Sequence, residues 1–216
     1  MLLSVFDAHY STPVSGSKKS SHLPVIANVY FDSLCPDCKK FITEQLYPTY
    51  NKLKSSGILK INLFPYGNTA EYNNGITTLF TCRYGIAECE ANMLYACAVD
   101  KLKQDALPFI NCMTYHGPYE ANTAFCAQEN GIDIQRVAQC AKGAKGIEVM
   151  HKFGKKTEQV MPHEKNVYKT IPLLIVDWKF VDSKSDMLEY VCNQYRGPKP
   201  EACIKPVKKH HVHKSQ

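Results

Sequence analysis

The segment Pro24-Val-Ile-Ala-Asn-Val-Tyr-Phe31-Asp-Ser-Leu-Cys35-Pro-Asp-Cys38 runs from a strand into a helix through a pair of cysteines. Its first eight residues are a run rich in β-branched and aromatic side chains, at strand length. After the cysteines, Phe41, Ile42, Leu46 and Leu53 recur at roughly helical spacing. Pro36 suits a first helical turn, where its missing N–H would have had no partner in any case. A second strand follows at Ile58-Leu-Lys-Ile-Asn-Leu-Phe64, closed by Pro65-Tyr-Gly-Asn68. Strand, helix, strand is a βαβ unit with a CxxC pair at its first strand-to-helix junction.

That position is chemically informative. A helix N-terminus presents unpaired N–H groups and the positive end of the helix dipole, both of which favour a thiolate on the first cysteine. Cys35 is therefore the expected nucleophile. Cys38, within disulfide reach, is the expected resolving thiol. The Asp37 carboxylate opposes thiolate formation unless it points to solvent. A zinc half-site would need a second ligand pair at similar spacing, and the chain has no other CxxC. A purely structural bridge across two residues would close almost no loop and stabilise little.

Around this unit the chain divides into three expected parts. Residues 1–23 are Ser-rich with Lys18, Lys19 and His22, and read as a flexible lead-in; the opening Met-Leu-Leu-Ser-Val-Phe breaks at Asp7 and is too short for a signal-peptide apolar region. Residues 24–203 form one domain with a helical insertion over about 82–160, with helices expected at Glu88 to Leu102, Thr123 to Gln128 and Ile132 to Lys145. Then come Thr170-Ile-Pro172, the apolar strand Leu173-Leu-Ile-Val176, a hairpin through Asp177-Trp-Lys-Phe-Val181, and a helix over Ser185 to Tyr195. The order βαβ, helical insertion, ββα is that of an α/β thioredoxin-like fold. Residues 204–216 are a basic, His-rich tail.

Composition narrows the function classes. The chain has 216 residues, 44% hydrophobic and 21% charged, the balance of one large globular domain. The formal net charge is +6, concentrated in Lys205 to Lys214. Basic and aromatic residues do not interleave along a face, so no nucleic-acid partner is expected. No stretch approaches the ~20 apolar residues that span a bilayer. Ten cysteines exceed what a core of this size needs, and fit an oxidising compartment or thiol chemistry. His210-His-Val-His213 reads as solvated, and no metal or organic cofactor is expected. Met93, Leu94 and Val99 read as core of the insertion, while His116, His151 and His163 have no partner that can be identified from sequence.

One further segment is specific: Cys82-Arg-Tyr-Gly85-Ile-Ala-Glu88-Cys89-Glu-Ala-Asn92-Met-Leu-Tyr-Ala-Cys97. It resembles the signature of the gamma-interferon-inducible lysosomal thiol reductase (GILT) family, C-Q-H-G-x-x-E-C-x-x-N-x-x-x-x-C. Cys82, Gly85, Glu88, Cys89, Asn92 and Cys97 match in register; Arg83 and Tyr84 replace the family's Gln and His. The resemblance extends to the CxxC, to Pro65-Tyr-Gly-Asn68 and to Cys192-x-x-Tyr195-x-Gly197-x-x-Pro200-x-x-Cys203, and so spans residues 24–203. The family's H-x-Y-V-P-W run survives only as Pro162-His163-Glu, with Tyr168 and Pro172 further on.

The resemblance implies an acid-active thiol reductase whose partners are disulfide-containing proteins and a thiol reductant. It implies Cys35 and Cys38 as the redox pair and Pro172 as the neighbouring cis-proline. In a thioredoxin-like order a proline opening the strand after the insertion is expected to be cis, turning the Ile171 backbone toward an extended substrate strand, so the expected substrate contacts are Pro36, Asp37, Ile171 and Pro172. Eight cysteines remain as structural disulfide candidates. Cys112 with Cys126 and Cys192 with Cys203 are plausible local bridges, leaving Cys82, Cys89, Cys97 and Cys140. Cys89 and Cys97 lie ~12 Å apart along one helix, too far to bridge directly, so one or both should pair across the insertion. No Asn-x-Ser/Thr sequon occurs, so N-glycosylation is not expected and no glycan marks the chain for lysosomal delivery; the cysteine content points to an exported protein, secreted or lysosomal. A reading of a different class is a secreted binding protein on the same scaffold, its redox activity incidental.

Overall fold

The structure, a computed structural model, describes residues 22–75, 77–160 and 170–204. The expected flexible lead-in up to residue 21, Pro162-His163, Tyr168 and the His-rich tail from residue 205 lie outside the described residues.

The apolar run of the opening segment forms strand β1 (Val25–Phe31), buried along almost its whole length because it lies in the middle of the sheet. Strand β2 (Leu59–Pro65) pairs with it in parallel, from Val25 opposite Leu59 to Phe31 opposite Pro65. On its other side β5 (Leu173–Val176) pairs antiparallel, from Ala27 opposite Val176 to Tyr30 opposite Leu173. Strand β6 (Lys179–Val181) closes the order β2-β1-β5-β6. The β5–β6 hairpin turns on Asp177 and Trp178, both with positive φ (45° and 68°), as a two-residue turn of matching twist requires. In this topology the ends of β1 and β2 and the start of β5 meet at one edge, and the chemistry-bearing loops gather there.

Between β1 and β2 the chain makes one continuous helical run: α1 (Pro36–Phe41), a π turn over Ile42–Leu46, and α2 (Tyr47–Leu53). Phe41, Ile42, Leu46 and Leu53 are all buried, as their spacing predicts. The helix α8 (Met187–Gln194), capped by the Asp186 carboxylate accepting the Glu189 N–H at 2.9 Å, packs against the π turn.

The insertion holds five helices among the described residues: α3 (Ile86–Leu102), α4 (Ala106–His116), α5 (Glu120–Glu129), α6 (Ile134–Lys142) and α7 (Ala144–Val160). The helix expected over Ile132 to Lys145 divides at Gly143 into α6 and α7, and α7 runs on to Val160. Helix α4 is not among the helices expected from the sequence; its Pro108 sits in the first turn, where a missing N–H is harmless. The hairpin of β3 (Ala70–Asn73) and β4 (Thr78–Thr81) was also not expected, its residues being largely exposed and only weakly alternating. Met93, Leu94 and Val99 pack against the core. His151, without an expected partner, pairs with Glu71 at 2.7 Å and ties α7 to β3. His116 sits edge-on between Tyr115 and Phe125.

Four disulfides brace this framework. Cys97–Cys140 joins α3 to α6, Cys112–Cys126 joins α4 to α5, and Cys192–Cys203 ties α8 to the turn after it. Cys82–Cys89 fastens the chain after β4 to the first turns of α3. Of the Cys89 and Cys97 pair, only Cys97 bridges across the insertion.

Candidate active site

The two cysteines outside these disulfides are Cys35 and Cys38. Cys35 is the N-cap of α1, and its Sγ accepts the Cys38 N–H at 3.3 Å. Cys35 is 6% exposed and Cys38 wholly buried, so an approaching molecule meets the first sulfur and not the second. Pro36 and Asp37 lie exposed at the lip.

Their acidities diverge. The hydrogen bond from the Cys38 thiol lowers Cys35 to about 7, against burial, with the Cys38 and Asp37 N–H groups helping and the Asp37 charge opposing. Burial, then the same hydrogen bond, pushes Cys38 well up. One thiol is prepared to ionise and its neighbour to hold its proton. The Ile171–Pro172 bond is cis, Ile171 is buried, and its carbonyl oxygen lies 3.9 Å from the Cys35 sulfur.

Behind the pair is a buried polar cluster of which sequence reasoning named only part. Asp32, three residues before Cys35, is 1% exposed. Its carboxylate accepts the Asn68 N–H, at 3.0 Å through Oδ2, and the Asn92 Nδ2–H at 3.3 Å through Oδ1. It is seated on Gly67, where φ is +42° and a Cβ would stand 2.3 Å from Asp32 Oδ1, so both backbone and space require glycine. Burial is the main cause that raises Asp32, to about 7; the Asn68 N–H opposes it and the Glu88 charge adds to it. Glu88, wholly buried on α3, accepts the Tyr84 N–H at 3.0 Å, and burial raises it too. The signature's Gly85, with φ +82°, turns the chain into α3 just ahead of it. Only the isolated acid after an apolar strand could have drawn attention to Asp32.

Residues 27–130 match the family described as gamma interferon inducible lysosomal thiol reductase (GILT). The chain is 34% identical over 184 residues to the gamma-interferon-inducible lysosomal thiol reductase of Mus musculus, covering 83% of this chain and 72% of that one. It is 30% identical over 208 residues to the protein of the same name from Carassius auratus, covering 86% and 74%. The chain belongs to the GILT family. Among solved structures, this GILT-family chain resembles DsbA of Chlamydia trachomatis (TM-score 0.54, 14% identity, 86% of this chain and 96% of that one). It also resembles oxidised BdbD of Bacillus subtilis (TM-score 0.52, 11% identity, 81% and 89%). Those likenesses establish the thioredoxin-like fold. Among the described residues of this GILT-family chain, no group of three His, Cys, Asp or Glu side chains is placed to hold a metal, and no helix is long and apolar enough to cross a membrane.

The buried carboxyl has a consequence for stability. Folded, Asp32 keeps its proton up to about pH 7; unfolded, it loses it near ~3.9. The folded state therefore binds the proton more tightly. The resulting stabilisation is complete below the unfolded value and is lost as pH rises through about 7. Acidification from pH 7 to pH 5 is expected to stabilise the fold by about 2 kcal/mol through this group alone. Urea midpoints at the two pH values measure it. Asp32→Asn should remove that share, leaving the contribution of Glu88, which burial also raises; an undiminished pH dependence in the variant would contradict the assignment.

Proposed function

We propose that the protein reduces disulfide bonds of polypeptide substrates by thiol–disulfide exchange, with Cys35 as nucleophile and Cys38 as resolving thiol, in an acidic lysosomal or extracellular setting. The observation that carries this is the asymmetry of the pair: a helix-capping Cys35 with lowered acidity in front of a buried Cys38 that retains its proton.

The Cys35 thiolate attacks one substrate sulfur, forming a mixed disulfide and expelling the other sulfur as a thiolate, which takes up a proton. Cys38 then loses its proton and attacks Cys35 Sγ. The second substrate thiol is released and a Cys35–Cys38 disulfide is left behind. Two electrons pass from the dithiol to the substrate, and a thiol reductant returns them. Substrate contact by Pro36, Asp37, Ile171 and Pro172 is part of this reading, supported by the exposed Pro36 and Asp37 beside Cys35 and by the Ile171 carbonyl 3.9 Å from its sulfur. Lowering a thiol from 9 to about 7 raises its thiolate fraction at pH 5 about a hundredfold, which keeps the first step accessible in acid.

The test is alkylation of the reduced protein by iodoacetamide from pH 4 to 10, read residue by residue by mass spectrometry. Cys35 is expected to react with a midpoint near 7, and Cys38 only at far higher pH. Equal reactivity of the two, or the reverse order, would overturn the assignment of roles.

A further inference from the structure

Thiol–disulfide exchange at Cys35 and Cys38 assigns no part to a buried amide 57 residues beyond Cys35. We propose that Asn92 is a positioning residue for the Cys35–Cys38 pair, holding the Asp32–Leu34 link that carries Cys35 to the start of α1. The proposal rests on the assignment of Cys35 as nucleophile and adds to it the residue that fixes its approach to the helix.

Asn92 is wholly buried. Its Oδ1 accepts the Ser33 N–H at 2.8 Å, and its Nδ2 donates to Asp32 Oδ1 at 3.3 Å and to Thr69 Oγ1 at 3.1 Å. One side chain thus joins three segments distant in sequence: the link after β1, the loop after β2 and helix α3. Glu88, one turn earlier on the same face of α3, reinforces it, its backbone carbonyl accepting the Ser33 hydroxyl at 3.3 Å. Thr69 also contacts Cys82 Sγ at 3.5 Å, within the Cys82–Cys89 bridge that fastens the start of α3. The link has no helix or strand ladder of its own across Asp32–Leu34, so these bonds fix its path. The arrangement also gives a physical reason for Glu88 and Asn92 to stand four apart beside that bridge. Each such buried bond, if broken, leaves a desolvated donor or acceptor.

The decisive variant is Asn92→Asp. A protonated carboxylic acid has the shape of the amide and supplies the same acceptor and one donor; ionised, it has no donor and sets a second negative charge against Asp32. Asn92 bonds Asp32 directly; the charged and titratable groups that act on Asp32 are Glu88 on α3 and the thiols Cys35 and Cys38, while Arg83 acts on Glu88 from the turn before α3. The readout is the pH profile of Cys35 alkylation, beside disulfide-reductase rate and thermal midpoint at each pH.

Asn92→Asp is expected to recover to within about threefold of wild type at pH 5 and to fall about tenfold below it at pH 7.5. Asn92→Ala should be impaired at both, with the Cys35 midpoint displaced. Folded Asn92→Asp with the wild-type alkylation profile, or loss equal at both pH values, would overturn the proposal. If Asn92→Ala does not fold, the two-pH comparison of Asn92→Asp decides alone. A wild-type protein whose Cys35 shows no midpoint near 7 would instead defeat the assignment of the nucleophile, so the two failures are distinguishable.

Discussion

Cys35→Ser is expected to lower the rate of disulfide reduction by ~1,000-fold or more, to the background set by the reductant in solution, because exchange needs a thiolate and a serine hydroxyl does not ionise in the working range. The substitution barely changes volume, and although Cys35 is only 6% exposed it is the N-cap of α1, a position that serine also fills well, so the fold should persist. The variant still contains Cys38, and that is what makes the result informative. Cys38 is wholly buried and its thiol is pushed well up in pKa, so it cannot take over the attack. The measurement is the steady-state rate on a disulfide-bonded protein at pH 5 and pH 7, with thermal midpoints as a control on folding. A Cys35→Ser protein retaining more than about a tenth of wild-type activity would contradict the roles given to the pair.

Removal of the Cys97–Cys140 bridge is expected to have the largest effect on stability. Its cysteines are 43 residues apart in sequence, and closing a loop of that length in the unfolded chain corresponds to about 4 kcal/mol in the chain-entropy description. The shorter Cys192–Cys203 loop, with a separation of 11, corresponds to about 3 kcal/mol on the same basis. In a protein of this size Cys97→Ala with Cys140→Ala should lower Tm by about 8–16 °C. Both sulfurs lie in the packed core between α3 and α6, so lost packing adds to the effect. Calorimetry or a urea titration of the double variant measures it. Because neither bridge cysteine takes part in the hydrogen bonds of Cys35 Sγ, which run to Cys38 and Ile171, the alkylation midpoint of that thiol should not move at temperatures where the variant is folded. A loss under 1 kcal/mol would show that helix packing alone holds α6 in place.

How much of this was legible in the sequence depended on how local the signal was. The strand β1, the CxxC and β2 carry their pattern in consecutive residues, and the structure places them within a residue or so of the expected bounds. Cys112–Cys126 and Cys192–Cys203 were legible for the same reason, each joining neighbours across a short turn. Cys82–Cys89 was left open because its partners straddle the start of a helix, and only the backbone turn at Gly85 brings them together. Helix α4 carries Pro108, whose effect on a helix depends on whether it falls in a first turn, as here, or in an interior one. The β3–β4 hairpin was hidden by exposure, which removes the alternation that would mark it.

The site divides along the same line. Cys35 and Cys38 announce themselves by spacing, and the resemblance named Glu88 and Asn92 without giving them work to do. Their work is non-local: Asn92 meets Ser33 across 59 residues and Asp32 across 60. A buried polar network of this kind leaves no periodicity, because its members are chosen by where separate segments meet and not by the segment each belongs to. Asp32 illustrates the point: a single acid after an apolar strand reads as the strand's end, and only its burial on Gly67 shows it to be a proton-holding group behind the dithiol.

The most direct test of the central claim is to capture the mixed disulfide. Cys38→Ser leaves the first attack intact and removes the thiol that resolves it. Incubated with a disulfide-bonded protein at pH 5, this variant should accumulate a covalent adduct, and peptide mapping should place the bond at Cys35. Adducts on any other cysteine, or turnover at the wild-type rate with no adduct, would contradict the account.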